Sequence, residues 1–233
     1  KKEYSPEENI ITSGLIYNID ASKNASYPGI GTTIYDLSGI GNTGTLTNGP
    51  TFSSLNSGSL VFDGTNDYIN IGVQPQIDGY QLPVSLSGWF KIDTLKLNTI
   101  CGIYNGFVNV YNLLRLDNSV YRVFLSNASN GQFQYFDHST PISINTWYFF
   151  AVVVSGSIST PSLSMYLNNT SAQSFSPLAL KSSVALNIDY RIGASYAANE
   201  NFQGNISDFK FYNRALSQQE IIQNYNATKG RYI

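Results

Sequence analysis

Charge is what this sequence has least of: Asp, Glu, Lys and Arg together make up only 12% of 233 residues, and the formal balance is −2. The 13 basic residues are scattered along the chain, so no basic patch is available for the counterion release that drives nucleic-acid affinity. No nucleic-acid partner is expected. Long apolar runs are missing too; even Trp147 to Val154 is only strand-sized, so no membrane insertion is expected. A single cysteine, Cys101, rules out an intrachain disulfide, and its setting between Ile100 and Gly102 points to a buried thiol rather than a nucleophile. With one histidine there is no Cys/His cluster for zinc. Gly-x-Ser-x-Gly and a phosphate-cradling Gly-rich loop ending in Gly-Lys-Ser/Thr are also absent.

Carboxylates suited to catalysis are equally scarce. The five glutamates are Glu3, Glu7 and Glu8 near the start, Glu200 in an expected loop and Glu220 in a helix-capping pattern. Retaining glycoside hydrolysis requires two carboxyl groups about 5 Å apart, and no same-strand pair here supplies them. His138 lies between Asp137 and Ser139, but neighbours on an extended chain point to opposite faces and cannot form a relay. No catalytic residue is assigned and no enzyme is expected.

What the sequence does have is the profile of a turn-rich β protein. Aromatics reach 14%, with 17 tyrosines and 19 glycines, and Asn, Ser and Thr are abundant. The length suits one well-buried core. Residues 1–13, polar and charged at the outset, read as an N-terminal arm or linker, and the sandwich is expected over 14–233. The chain begins at Lys1 and its only methionine is Met165, which fits either a removed leader or a segment of a longer polypeptide.

Leu15, Tyr17 and Ile19 alternate with Ile16 and Asn18, marking a first strand. A Gly/Ser/Thr/Asn-rich excursion over residues 21–59 reads as a long ordered loop. Strands then follow at about 59–63, 68–72, 84–92, 99–104, 107–116, 120–126, 132–137, 147–155, 162–167, 190–194 and 205–212. Asn105-Gly106 and Asn130-Gly131 suit tight hairpins, because both turn residues tolerate positive φ. A helix is expected over 217–228, where Ser217 and Glu220 have capping-box spacing. The predicted fold is all-β, a sandwich of two antiparallel sheets with one short C-terminal helix.

Trp147 to Val154 is apolar on both parities, as a strand covered on both sides should be. The stretch over 107–116 differs: Val108, Val110, Leu114 and Leu116 share one face, and Asn109, Tyr111 and Arg115 the other. A wet sheet face bearing Tyr, Asn and Arg can hold a glycan, whose CH faces stack on aromatics while its hydroxyls take polar partners. Tyr104, Tyr111, Arg115, Tyr121 and Tyr135 are the candidate contacts, against the alternative that tyrosine is simply common in strands.

Three segments carry a family resemblance. The closing run Gly204 to Ile221 (GNISDFKFYNRALSQQEI) and the opening runs Ser26 to Pro50 (SYPGIGTTIYDLSGIGNTGTLTNGP) and Ser59 to Gly72 (SLVFDGTNDYINIG) resemble laminin-G-like domains of the concanavalin A-like lectin/glucanase superfamily. Val84 to Lys91, Asn145 to Val154 and Tyr190 to Gly193 fit more loosely. The resemblance implies a jelly-roll sandwich. It also implies a non-catalytic module, because the Glu-x-Asp-x-Glu strand pattern of the family's glucanases is absent here. A polysaccharide or glycan is the implied partner, for adhesion or host recognition. The alternative is an assembly module of a phage tail, fibre or capsid decoration, or of an extracellular filament, contacting neighbouring structural subunits. Opening segments of this kind imply a virion surface, or alternatively a secreted or bacterial cell-surface setting.

Calcium is the implied cofactor. Loops rich in Asp, Asn and Gly, such as Asp36 to Gly44 and Asp63 to Tyr68, offer the oxygen ligands it needs. Members of the superfamily carry a structural calcium near the first and closing strands, which by position implicates Asp208 with Asp20 and with Asp36 or Asp63. The alternative is that these aspartates organise turns by accepting backbone N–H bonds.

Overall fold

A computed structural model describes residues 9–72, 82–104, 110–126, 133–168, 171–180, 189–195 and 200–233. The Asn105-Gly106 and Asn130-Gly131 turns, and residues 1–8 of the expected arm, lie outside them. The architecture is the expected one: two eight-stranded antiparallel sheets face each other, with one α-helix near the C-terminus.

The first sheet holds β1 (Leu15–Asp20), β4 (Thr51–Ser53), β5 (Ser59–Asp63), β7 (Val84–Ile92), β12 (Trp147–Gly156), β13 (Pro161–Leu167), β14 (Gln173–Phe175) and β16 (Gln203–Tyr212). Its order is β14-β13-β12-β7-β16-β5-β4, and β1 also pairs with β16. β5 and β1 lie end to end along one edge of β16, taking Gln203–Ile206 and Asp208–Tyr212 respectively. The second sheet runs β11 (Phe133–Asp137), β10 (Val120–Ser126), β9 (Val110–Asp117), β8 (Leu97–Tyr104), β15 (Arg191–Ile192), β6 (Tyr68–Asn70), β3 (Gly44–Thr47), β2 (Thr33–Ile34).

The excursion over 21–59 is not free of strands, as its composition suggested. It carries β2 and β3 into the second sheet and returns through β4 to the first. These strands are two to four residues long, too short for period-two alternation to rise above a Gly/Thr/Asn background. Asp36 organises the loop between them: its carboxylate accepts the amides of Asn18, Ser38, Gly41 and Asn42 and the Ser38 hydroxyl.

β12 shows why this sequence makes a two-sided sheet. Tyr148, Phe150, Val152 and Val154 face the inter-sheet core with Phe90, Phe209 and Phe211. The other parity, Trp147, Phe149, Ala151 and Val153, joins a second apolar cluster with Trp89 and Tyr212 on the outer face. That outer face is sealed by α1 (Gln218–Lys229) and the residues after it. Trp89 donates from Nε1 to Thr228 Oγ1 at 2.7 Å and stacks on Tyr225 and Tyr232. At the centre of the sheet Gly88 is required, since a Cβ there would lie 2.4 Å from the Asp208 carbonyl oxygen.

Residues 9–13 of the expected arm belong to this layer. Ile10 and Ile11 pack on the outer cluster, the Ile11 amide donates to Asn224 Oδ1 at 2.8 Å, and the Tyr212 hydroxyl donates to the Ile11 carbonyl. Ile10 and Ile11 are partly buried there, and the apolar area they remove from water holds this part of the expected arm on the sandwich. Among the described residues no helix is long and apolar enough to cross a membrane.

Candidate functional site

With the first sheet roofed by the helix, the outer face of the second sheet is left open, and among the described residues it carries the exposed rings of Tyr135 and Phe133. Strand alternation builds it row by row. Arg115, Arg122 and Asp137 are cross-strand partners on β9, β10 and β11, and two residues along lie Phe124 and Tyr135, followed by Ser126 and Phe133. A charged row thus borders an aromatic one. Tyr135 is 62% exposed and Phe133 43%. Phe124 packs against both, ring centroids 6.3 Å apart in each case.

Guanidinium groups fasten the aromatic row to the charged one. Arg115 lies 4.5 Å over the Phe124 ring and Arg122 lies 4.8 Å over Tyr135, within cation–π range. Both arginines are also ion-paired: Arg122 with Asp117 at 2.6 Å and, bidentately, with Asp137, and Arg115 with Glu200 at 2.6 Å. The hydrogen bonds it donates to Asp137 raise the Arg122 guanidinium above its already high ordinary value. Glu200 is held in turn by the Ser195 hydroxyl. A second group of the same kind sits on β6 and β15, where Arg191 lies 4.3 Å over Tyr68 and Asn70 donates to Asp189.

Of the expected contacts, Arg115 and Tyr135 stand on this face. Tyr121 does not: it is fully buried, one residue out of phase with Arg122 and Phe124, and lies in the inter-sheet core with Val123 and Leu125. Burial pushes its phenol well above its ordinary value. Tyr104 and Tyr111 are placed on β8 and β9 by their backbones, and their side chains lie outside the described set. Arg122, Phe124 and Phe133 were missed by the sequence reading. Their signal was parity: Arg-x-Asp, Arg-x-Phe and Phe-x-Tyr-x-Asp on three successive strands share one surface.

Asp20 and Asp208 are brought together as cross-strand partners of β1 and β16. What surrounds them is cationic. Lys210 donates to Asp208 Oδ2 at 2.6 Å, and Arg231, from beyond the helix, donates to both Asp20 oxygens at 2.9 and 3.0 Å. Burial pushes the Asp208 carboxyl up against the pull of Lys210. For Asp20 burial acts in the same direction, but Arg231 and Lys210 outweigh it and hold the carboxyl below its ordinary range. Asp208 Oδ1 and Asn18 Oδ1 accept no hydrogen bond, yet two such oxygens beside two cations are far from the six to eight ligands calcium takes.

Asp36 is committed to its loop, and Asp63 Oδ1 accepts the Thr65 amide in a turn. No group of three or more His, Cys, Asp or Glu able to hold a metal occurs among the described residues. The four aspartates Asp20, Asp36, Asp63 and Asp208 do not fit a calcium ion in this arrangement.

Groups that could do covalent chemistry are similarly placed. Cys101 is fully buried between the sheets, and burial pushes its thiol up to about 12. His138 is buried and accepts the Thr140 amide at Nδ1, and burial pushes its imidazole below its ordinary range, while Asp137 points outward to Arg122. Glu220 is bound by Arg214.

The laminin-G family model described as the concanavalin A-like lectin/glucanases superfamily matches residues 63–222, and the chain belongs to that family. No curated protein matches it. Among solved structures it is similar to the binding domain of Paraclostridial Mosquitocidal Protein 1, at TM-score 0.71 and 17% identity over 92% of this chain and 52% of that one. It is also similar to Domain 4 of AbnA, an extracellular arabinanase from Geobacillus stearothermophilus solved with arabinotriose, at TM-score 0.66 and 16% identity over 93% of this chain and 98% of that one. A third is Trypanosoma rangeli sialidase in complex with sialic acid, at TM-score 0.66 and 16% identity over 94% and 34%. The chain spans about half the length of the toxin binding domains it matches.

Proposed function

We propose that this chain is a non-catalytic carbohydrate-binding module whose ligand lies along the outer face of the second sheet. The observation that carries the reading is the aromatic row Phe124, Phe133 and Tyr135, backed by Arg115 and Arg122, on the sheet that the helix leaves open. Flat rings beside a polar row match a saccharide, which offers CH faces and a rim of hydroxyls. Fold relatives that are binding domains, and one solved with arabinotriose, support it.

The non-catalytic part of the reading rests on the commitment of Glu200 and Glu220 to ion pairs and of Cys101 and His138 to the interior. A secreted or surface-exposed setting accords with the extracellular arabinanase among the relatives. A virion surface, with neighbouring structural subunits as further partners, rests on the resemblance of the opening segments alone.

The test is binding of the purified protein to a glycan array, repeated with Tyr135→Ala and Phe133→Ala. Each ring is worth about 1–1.5 kcal/mol or more if a sugar stacks on it, so roughly tenfold weaker binding is expected. Binding that neither substitution changes would place the ligand elsewhere.

A further inference from the structure

The charge pattern of this face narrows the ligand, and the argument rests on the carbohydrate-binding reading above. Sugars divide into neutral ones and those bearing a carboxylate or sulfate. An acidic sugar is recognised by a guanidinium fork with donors to spare, since a bidentate Arg–carboxylate contact supplies both geometry and energy. Arg122 has its bidentate Nε/Nη2 edge already filled by a carboxylate. Its Nε and Nη2 are taken by Asp137 and its Nη1 by Asp117. Arg115 gives Nη1 to Glu200 and its Nη2 lies 3.9 Å from the Asp117 carboxylate; its Nε makes no hydrogen bond but is buried away from the surface that a ligand would reach. Around two guanidinium groups stand three carboxylates, Asp117, Asp137 and Glu200, and this end of the face is net negative.

An incoming carboxylate would have to displace one of these, leaving an aspartate or glutamate without its partner, and would approach the remaining ones as a like charge. Both effects oppose binding. The same carboxylates favour hydroxyl groups. Asp137, whose side chain is 41% exposed beside Tyr135, has lone pairs left for a hydroxyl donor next to a ring on which a CH face can lie. We infer that the site beside Tyr135 selects neutral saccharides and rejects uronic and sialic acids, using its arginines to fix aromatic rings and carboxylates in place rather than to capture an anion.

The experiment sets neutral and acidic probes against the intact chain: galactan with polygalacturonate, and lactose with sialyllactose, with arabinotriose as a further neutral probe, each at 20 mM and 300 mM NaCl. Wild type is expected to bind a neutral member of the set with less than twofold change between the two salt conditions, since no ligand charge is screened. It is expected to bind the acidic partner at least tenfold more weakly. Asp137→Asn, which loosens one hold on Arg122 and removes a negative charge, is expected to narrow that gap at least threefold.

Preferential, salt-sensitive binding of polygalacturonate or sialyllactose that Tyr135→Ala abolishes would overturn the neutral-ligand inference while leaving the site in place. Binding of any probe that Tyr135→Ala and Phe133→Ala both leave unchanged would overturn the site, and the inference with it. Absence of binding to every probe at millimolar concentration would count against both.

Discussion

At the level of single residues, the chain solves a problem of uncompensated charge with its own cations. Asp20 and Asp208 are buried as cross-strand partners, a pairing that repels unless something intervenes. Lys210, 3% exposed at its side chain, and Arg231 provide it. Removing one member of a buried pair leaves the other charged and desolvated, which typically costs about 3–5 kcal/mol. Arg231→Met is therefore expected to destabilise the protein by a loss in that range, read from the urea midpoint. Asp20→Asn in the same chain should recover part of the loss, because the orphaned charge is then gone. A chelator should leave the melting temperature of the wild-type protein unchanged if these aspartates are compensated in this way, and a drop would show that an ion contributes.

At the level of elements, the helix is set by its first turn. The Ser217 hydroxyl accepts the Glu220 amide, the Glu220 carboxylate accepts the Ser217 amide, and Arg214 braces that carboxylate with two nitrogens. The Arg214 hydrogen bonds are the main cause of the fall of the Glu220 carboxyl to about 2, against the opposing effect of burial and with help from the Ser217 bonds. With its folded value below the unfolded one, Glu220 contributes stability that is complete above about pH 4.5 and lost as the pH falls toward 2. Ser217→Ala is expected to cost about 1 kcal/mol at neutral pH. Glu220→Gln should flatten the acid limb of a stability–pH curve over that interval; an unchanged limb would mean that other groups control it.

Taken as a whole, the molecule divides its two outer surfaces between stability and recognition. One sheet is closed by α1, with Trp89 between Phe149, Tyr225 and Tyr232; the other holds Tyr135 and Phe133 in the open. The two are separated by the inter-sheet core. Trp89→Ala is expected to cost about 3–5 kcal/mol of stability and to leave glycan affinity unchanged below the lowered melting temperature. Tyr135→Ala should do the reverse, weakening binding about tenfold with little change in melting. Loss of affinity in a folded Trp89→Ala protein would show that the two faces are coupled.

Much of this was legible in the amino-acid order. Period-two alternation located the long strands, the double-parity apolar run of β12 announced a strand buried on both sides, and Ser217 with Glu220 announced the helix start. Those features are local, because side-chain direction along a strand and the capping of a first turn depend on residues within a few positions of one another. Even the meeting of Asp20 with Asp208 could be expected from the family resemblance. The sequence could not show which charges meet across the fold. That Arg231, 211 residues from Asp20, would occupy the place imagined for a metal depends on how the tail crosses the sheet. The phase of a strand against its neighbours is likewise a tertiary matter: one residue decides that Tyr121 is core and Arg122 is surface, and register alone sets Arg115, Arg122 and Asp137 in a row beside an exposed tyrosine.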